Sequence, residues 1–84
     1  MTLDTAAANY RHARLALDEA EQNRYLAHAT HVATMTKLGR NGRIGNGSDA
    51  TRKAHHAACD AAVTARRAFE QARDELVAAA LEAT

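Results

Sequence analysis

The four glycines of this 84-residue chain all lie within residues 39–47, and the chain contains no proline. Glycine and proline are the residues that interrupt helices most strongly, so the segments on either side of this stretch contain no helix breaker. Alanine, the strongest helix former, accounts for 22 of the 84 residues. The sequence therefore predicts one all-α domain over 1–84. It has a helix from about 3 to 38, a Gly-rich loop over 39–48, and a helix from about 49 to 83.

Local signals at the ends of these segments agree with the two-helix prediction. Thr2 can accept a hydrogen bond from a free backbone N–H of the first helix. Gly39 follows Lys37, and a glycine after a cation is typical of a helix C-terminus. Ser48 or Asp49 can cap the second helix in the same way as Thr2 caps the first.

Both predicted helices are amphipathic when their residues are placed 100° apart around the helix axis. The face of the second helix is made almost entirely of methyl groups: Ala54, Ala58, Ala61, Ala65, Ala68, Phe69, Ala72, Leu76, Ala79 and Ala83. The face of the first helix carries larger side chains: Leu3, Ala6, Tyr10, Ala13, Leu17, His28, Val32 and Met35. Large side chains pack well over alanines, so we expect an antiparallel, Ala-rich, coiled-coil-like hairpin.

Each helix carries a second apolar stripe that a lone hairpin leaves in water. These stripes comprise Ala8, Leu15, Leu26, Ala29 and Ala33 on the first helix, and Cys59, Val63, Val77 and Leu81 on the second. Leu, Ile, Val and Phe together number only 12, which is few for a core. We therefore expect a non-enzymatic assembly module that completes a bundle by burying Leu15 and Leu26 against itself or a larger partner. In outline it is similar to small helical hairpins that dimerise into four-helix bundles, a resemblance of architecture alone.

Several functional classes are disfavoured by the composition. No recognisable motif pairs a nucleophile with histidine and an acid, and a two-helix hairpin has no deep pocket, so we expect no enzymatic activity. The sequence has no membrane-length apolar run and no secretory signal, and we expect no membrane partner. The single cysteine excludes an intramolecular disulfide and fits a reducing compartment, so we expect a cytoplasmic protein.

Histidine and cysteine suggest a second hypothesis, a metal-binding protein. Folding the chain about residue 44 places position 31 near 57 and position 28 near 60, which brings four metal-ligand types together: His28, His31, His55 and Cys59. Imidazole and thiolate are ligands for zinc and other transition metals, and the spacings of three and four residues put two ligands on one helix face. The alternative is that the histidines fill space over small alanines and that no cofactor is bound.

The loop region suggests a third hypothesis, a small regulator. Residues 31–56 carry a balance of +4, and their cations are Lys37, Arg40, Arg43, Arg52 and Lys53. Such a tip can bind nucleic acid or an acidic protein, and the lack of nearby aromatic residues for base stacking favours the protein. Ile44 either folds over the helix ends or anchors a partner. The alternative is a solvated turn.

Overall fold

The computed structural model of this chain describes the backbone of residues 1–41 and 46–84 and, within them, the side chains of residues 1–37 and 49–84. Helix α1 spans Leu3–Asn41 and helix α2 spans Asn46–Ala83. The two helices form a rod of 65 × 13 × 13 Å. They are antiparallel, because Tyr10 near the start of α1 contacts Phe69 in the second half of α2, with ring centroids 5.3 Å apart. The predicted all-α helical hairpin is confirmed.

The helices extend further into the Gly-rich stretch than the sequence signals predict. α1 continues through Gly39 to Asn41, and α2 begins at Asn46, so Ser48 and Asp49 lie inside α2 rather than ahead of it. The predicted ends at 38 and 49 were each three residues short. The physical reason is that one glycine inside a helix costs only about 1 kcal/mol relative to alanine, which a long helix packed on a neighbour tolerates.

The start of α1 is capped as the sequence predicts. The Thr2 hydroxyl oxygen accepts a hydrogen bond from the backbone N–H of Thr5 at 3.2 Å. The Thr2 carbonyl accepts another from the N–H of Ala6 at 3.0 Å. Two of the backbone groups at this helix start therefore have partners, and Asp4 in the first turn complements the positive end of the helix dipole.

The seam between the helices follows a heptad spacing in which steps of three and four residues alternate. On α1 the buried and half-buried positions include Ala6, Tyr10, Ala13, Leu17, Ala20, Ala27, His31 and Thr34. On α2 they include Thr51, His55, Ala58, Ala62, Ala65, Phe69, Ala72, Leu76 and Ala79. This average period of 3.5 residues is the signature of a left-handed coiled coil.

The seam departs from the two faces predicted on straight helices. Ala54, Ala61 and Ala68 were expected on the seam of α2 and are exposed. On α1 the prediction holds from Ala6 to Leu17, although Leu3 at the helix start is 41% exposed. The seam then continues through His31, whereas His28, Val32 and Met35 are exposed. Both errors have one cause: a 3.5-residue repeat drifts by about 20° per heptad relative to a straight helix of 3.6 residues per turn.

The core of this hairpin is small. The buried hydrophobic residues of the described chain are Ala6, Leu17, Ala62, Ala72 and Ala79, so Leu17 is the one among them that is larger than alanine. Close approach of two backbones across alanines, rather than burial of large side chains, therefore characterises the contact between α1 and α2.

Within the described residues, neither helix carries an apolar stretch long enough to span a bilayer.

Candidate functional site

Large apolar side chains remain exposed along the whole hairpin. Leu15 is 66% exposed and Leu26 is 51% exposed on α1, and Leu81 is 70% exposed on α2. Val63 and Val77 on α2 are also about half exposed. These residues belong to the two second stripes, which the sequence predicts to lie in solvent when the hairpin is alone. The hairpin therefore presents apolar surface that its own seam does not cover.

Half of the ten exposed large apolar side chains of the described residues lie on one lateral side of the hairpin. A groove lined by both Tyr25 and Cys59 shows that these residues share a side, and Cys59 and Val63 line a second groove on that side. Heptad steps from Tyr25, Val63 and His28, which also lines the first groove, place Val32, Val77 and Met35 on the same side. We call the result the apolar side: Tyr25, Val32, Met35, Val63 and Val77.

The other exposed leucines lie elsewhere around the hairpin. In the heptad frame, Leu15 points directly away from α2, and Leu26 points toward the side opposite the apolar side. Leu81 points directly outward from α2 in the same way as Leu15. The predicted partner-binding pair Leu15 and Leu26 therefore does not share one face with the exposed valines.

Charged residues occupy the middle of the apolar side. Glu21 on α1 contacts Arg24 at 2.7 Å, and it reaches across the seam to Arg66 on α2 at 3.4 Å. All three side chains remain in contact with solvent, so each pair contributes between zero and about 1 kcal/mol. This network divides the apolar side into two patches, one toward the interhelical turn and one toward the chain termini.

A histidine cluster spans the seam near the interhelical turn. The ring of His55 on α2 lies 5.0 Å from that of His28 and 6.2 Å from that of His31, measured between centroids, and the His31 and His55 rings are nearly parallel. His31 Nδ1 and Thr51 Oγ1 are hydrogen bonded at 2.9 Å. His55 Nε2 lies 3.6 Å from Cys59 Sγ, a hydrogen-bond distance for sulfur. The four residues predicted as metal ligands are thus brought together.

The helix register that forms this cluster differs from the predicted one. Folding the chain about residue 44 placed position 31 near 57 and position 28 near 60, whereas His31 lies beside Thr51 and His55, and His28 lies beside His55. His31, Thr51 and His55 are all seam positions. Packing along the seam, rather than symmetry about the turn, therefore decides which residues meet.

The environment of His55 lowers its pKa below the ordinary value of 6.5. The largest cause is partial burial of the ring, which disfavours the charged form. Neighbouring positive charges lower the pKa further, and these come from His28, His31 and Arg24 on α1 and from His56 on α2. This shift favours the neutral imidazole, in which one ring nitrogen donates a hydrogen bond and the other can accept one or coordinate a metal ion.

The cluster places two ligand atoms, His55 Nε2 and Cys59 Sγ, close enough to share a metal ion, but it does not place a third one beside them. Within the described residues, no three His, Cys, Asp or Glu side chains already form a group that could hold a metal ion. Cys59 is a half-buried free thiol. Thr51 and Arg24 are neighbours of the cluster that the sequence analysis missed, and a heptad register for both helices would have placed them there.

The predicted basic tip is only partly covered by the structure. Lys37, Arg52 and Lys53 are exposed, and Arg52 forms an ion pair with Asp49 at 3.0 Å. Arg43, Ile44 and the side chain of Arg40 lie outside the described residues. A partner at this tip stays a prediction.

Comparisons with known proteins do not place this chain in a family. No protein-family model, curated protein or solved structure matches it.

Proposed function

We propose that this protein is a non-enzymatic assembly module in which two hairpins associate through their apolar sides into a helical bundle. The observation that carries the proposal is that the buried side chains are small whereas large apolar side chains are exposed. Four of the five buried hydrophobic residues of the described chain are alanines, while side chains as large as Tyr25, Val63 and Val77 are about half exposed or more. Burial of these side chains against a second copy supplies the apolar contact that the lone hairpin lacks.

The accessible surface area supports a partner of similar size. A compact monomer of 9.0 kDa exposes about 4,900 Å². This hairpin exposes 6198 Å². The excess of about 1,300 Å² per chain is larger than the ~800 Å² that each partner buries in a standard interface. The hairpin therefore has enough surface for an interface of standard size.

The distribution of the exposed residues supports a second copy as the occupant. Both helices contribute to the apolar side, with Tyr25, Val32 and Met35 on α1 and Val63 and Val77 on α2. These residues lie in two patches on either side of the charged network, and a second copy of the same 65 Å length can cover both patches at once. Hairpin-on-hairpin packing of this type produces a four-helix bundle.

Sedimentation equilibrium of the full chain at micromolar concentrations tests the proposal. We expect a mass of at least two chains, and a melting temperature that rises with protein concentration because association stabilises the folded state. A monomer of 9.0 kDa that melts cooperatively, with no dependence on concentration, refutes self-association. A chain that assembles only when a different protein is added also refutes it and replaces the second copy by that partner.

A further inference from the structure

The pair formed by His55 and Cys59 has the spacing of two ligands on one metal ion. The two residues are one helical turn apart on α2, and His55 Nε2 lies 3.6 Å from Cys59 Sγ. In tetrahedral zinc sites the metal–nitrogen distance is about 2.0–2.1 Å and the metal–sulfur distance about 2.3 Å, so the two ligand atoms lie ~3.6 Å apart. The two atoms can therefore contact one ion with little movement.

A third ligand stands across the seam in an open position. The ring of His28 lies 5.0 Å from that of His55, and the side chain of His28 is exposed. A surface groove of about 410 Å³ borders the pair and is lined by Arg24, Tyr25, His28, His55 and Cys59. The groove provides an entry path for an ion, and an exposed imidazole can rotate toward the pair without disturbing the seam.

We propose that His28, His55 and Cys59 bind one divalent transition-metal ion of the zinc type, with water as the fourth ligand. Binding requires rotation of the His28 side chain toward the pair. Coordination displaces the proton of the Cys59 thiol to solvent. His31 orients the site instead of coordinating, because its Nδ1 is hydrogen bonded to Thr51 and its ring stacks on His55.

The charges around the cluster are compatible with a cation. Arg24 lies beside the site and opposes a second positive charge, but its guanidinium is paired with Glu21 at 2.7 Å. The thiolate of Cys59 adds one negative charge on binding, and this charge favours a soft divalent ion over Mg²⁺ or Ca²⁺.

Titration of the full chain, purified without a histidine tag, with Co²⁺ and then Zn²⁺ tests this site independently of self-association. We expect one Co²⁺ per chain, a near-ultraviolet thiolate-to-cobalt charge-transfer band, and loss of the band when Zn²⁺ displaces Co²⁺. Cys59→Ser should abolish the band, and His28→Gln should weaken binding at least about tenfold, the smaller loss typical of removing an outer-shell partner. His12→Gln is the matched control, because His12 lies on α1 far from the cluster, and it should leave binding unchanged.

Several results overturn the site. These are the absence of the charge-transfer band, its persistence in Cys59→Ser, unchanged affinity in His28→Gln, or an equal loss of affinity in His12→Gln. One ion per two chains also overturns it, since the ion then bridges separate copies. Circular dichroism of each variant verifies that the helices are retained. His28 is exposed, so we expect the seam to be intact in His28→Gln. This variant therefore still tests the site if Cys59→Ser fails to fold.

Discussion

Introducing aspartate at Val32 and Val77 tests the apolar side at one position on each helix. Val32 is 48% exposed and Val77 is 54% exposed, so about half of each side chain is available for burial by a partner. Full burial of a valine contributes about 1.5–3 kcal/mol, so the exposed half corresponds to roughly 1 kcal/mol. A two-fold dimer contains four such valines, and their loss weakens association by about 4 kcal/mol, or ~10³-fold in Kd.

Sedimentation equilibrium over a concentration series measures this change directly. The matched control is Ala33→Asp with Ala78→Asp, which introduces the same charges at neighbouring exposed positions on the other side of the hairpin. Replacing alanine by aspartate lowers helix propensity at least as much as replacing valine by aspartate does. The control variant therefore destabilises the helices themselves equally or more. Equal loss of association in both double variants, or no loss in the Val32/Val77 variant, would refute the assignment of the apolar side as the interface.

Three further predictions follow from the packing and charge of single residues. Leu17→Ala should lower the free energy of unfolding by about 2–4 kcal/mol in urea denaturation, because it opens a cavity at the largest side chain among the buried residues. Leu15→Ala, at an exposed position outside the apolar side, should change it by less than about 0.5 kcal/mol. Leu26→Asp should leave the sedimentation mass unchanged, since Leu26 faces away from the apolar side; dissociation by this variant would move the interface to the opposite side. Stability should fall as the pH drops below about 6.5, because unfolded His55 then takes up a proton that the folded state accepts only at lower pH. Urea midpoints measured with a chelator at several pH values check this loss, and His55→Gln should reduce it; a midpoint that rises on acidification would contradict the lowered pKa.

The secondary structure and the hairpin topology were determined by the sequence alone. Confining every glycine to 39–47 leaves two uninterrupted Ala-rich segments, and alanine has the highest helix propensity of all residues. The cap at Thr2 was also readable, because a side-chain oxygen before a helix satisfies a local backbone donor. These features depend on neighbours in the chain, so local rules are sufficient to predict them.

The helix ends and the seam beyond Leu17 depended on tertiary packing. Gly39 lies inside α1 although glycine usually follows a helix, because contact with a second long helix outweighs a small local cost. The seam follows a period of 3.5 rather than 3.6 residues, since supercoiling keeps the same stripe facing its partner. That small difference accumulates along the helix, so that His31 lies at the seam in place of the predicted His28.

The candidate sites show the same division between local and long-range information. The sequence identified His28, His31, His55 and Cys59 as neighbours, because one helical turn separates the members of each pair and a hairpin brings the pairs together. Only the tertiary structure decided that His31 bonds to Thr51 while His28 stays exposed, and that Tyr25, Val32, Met35, Val63 and Val77 share one side. The side to which a residue points depends on the rotation of each helix about its own axis, and that rotation is set only when the two seams pack together.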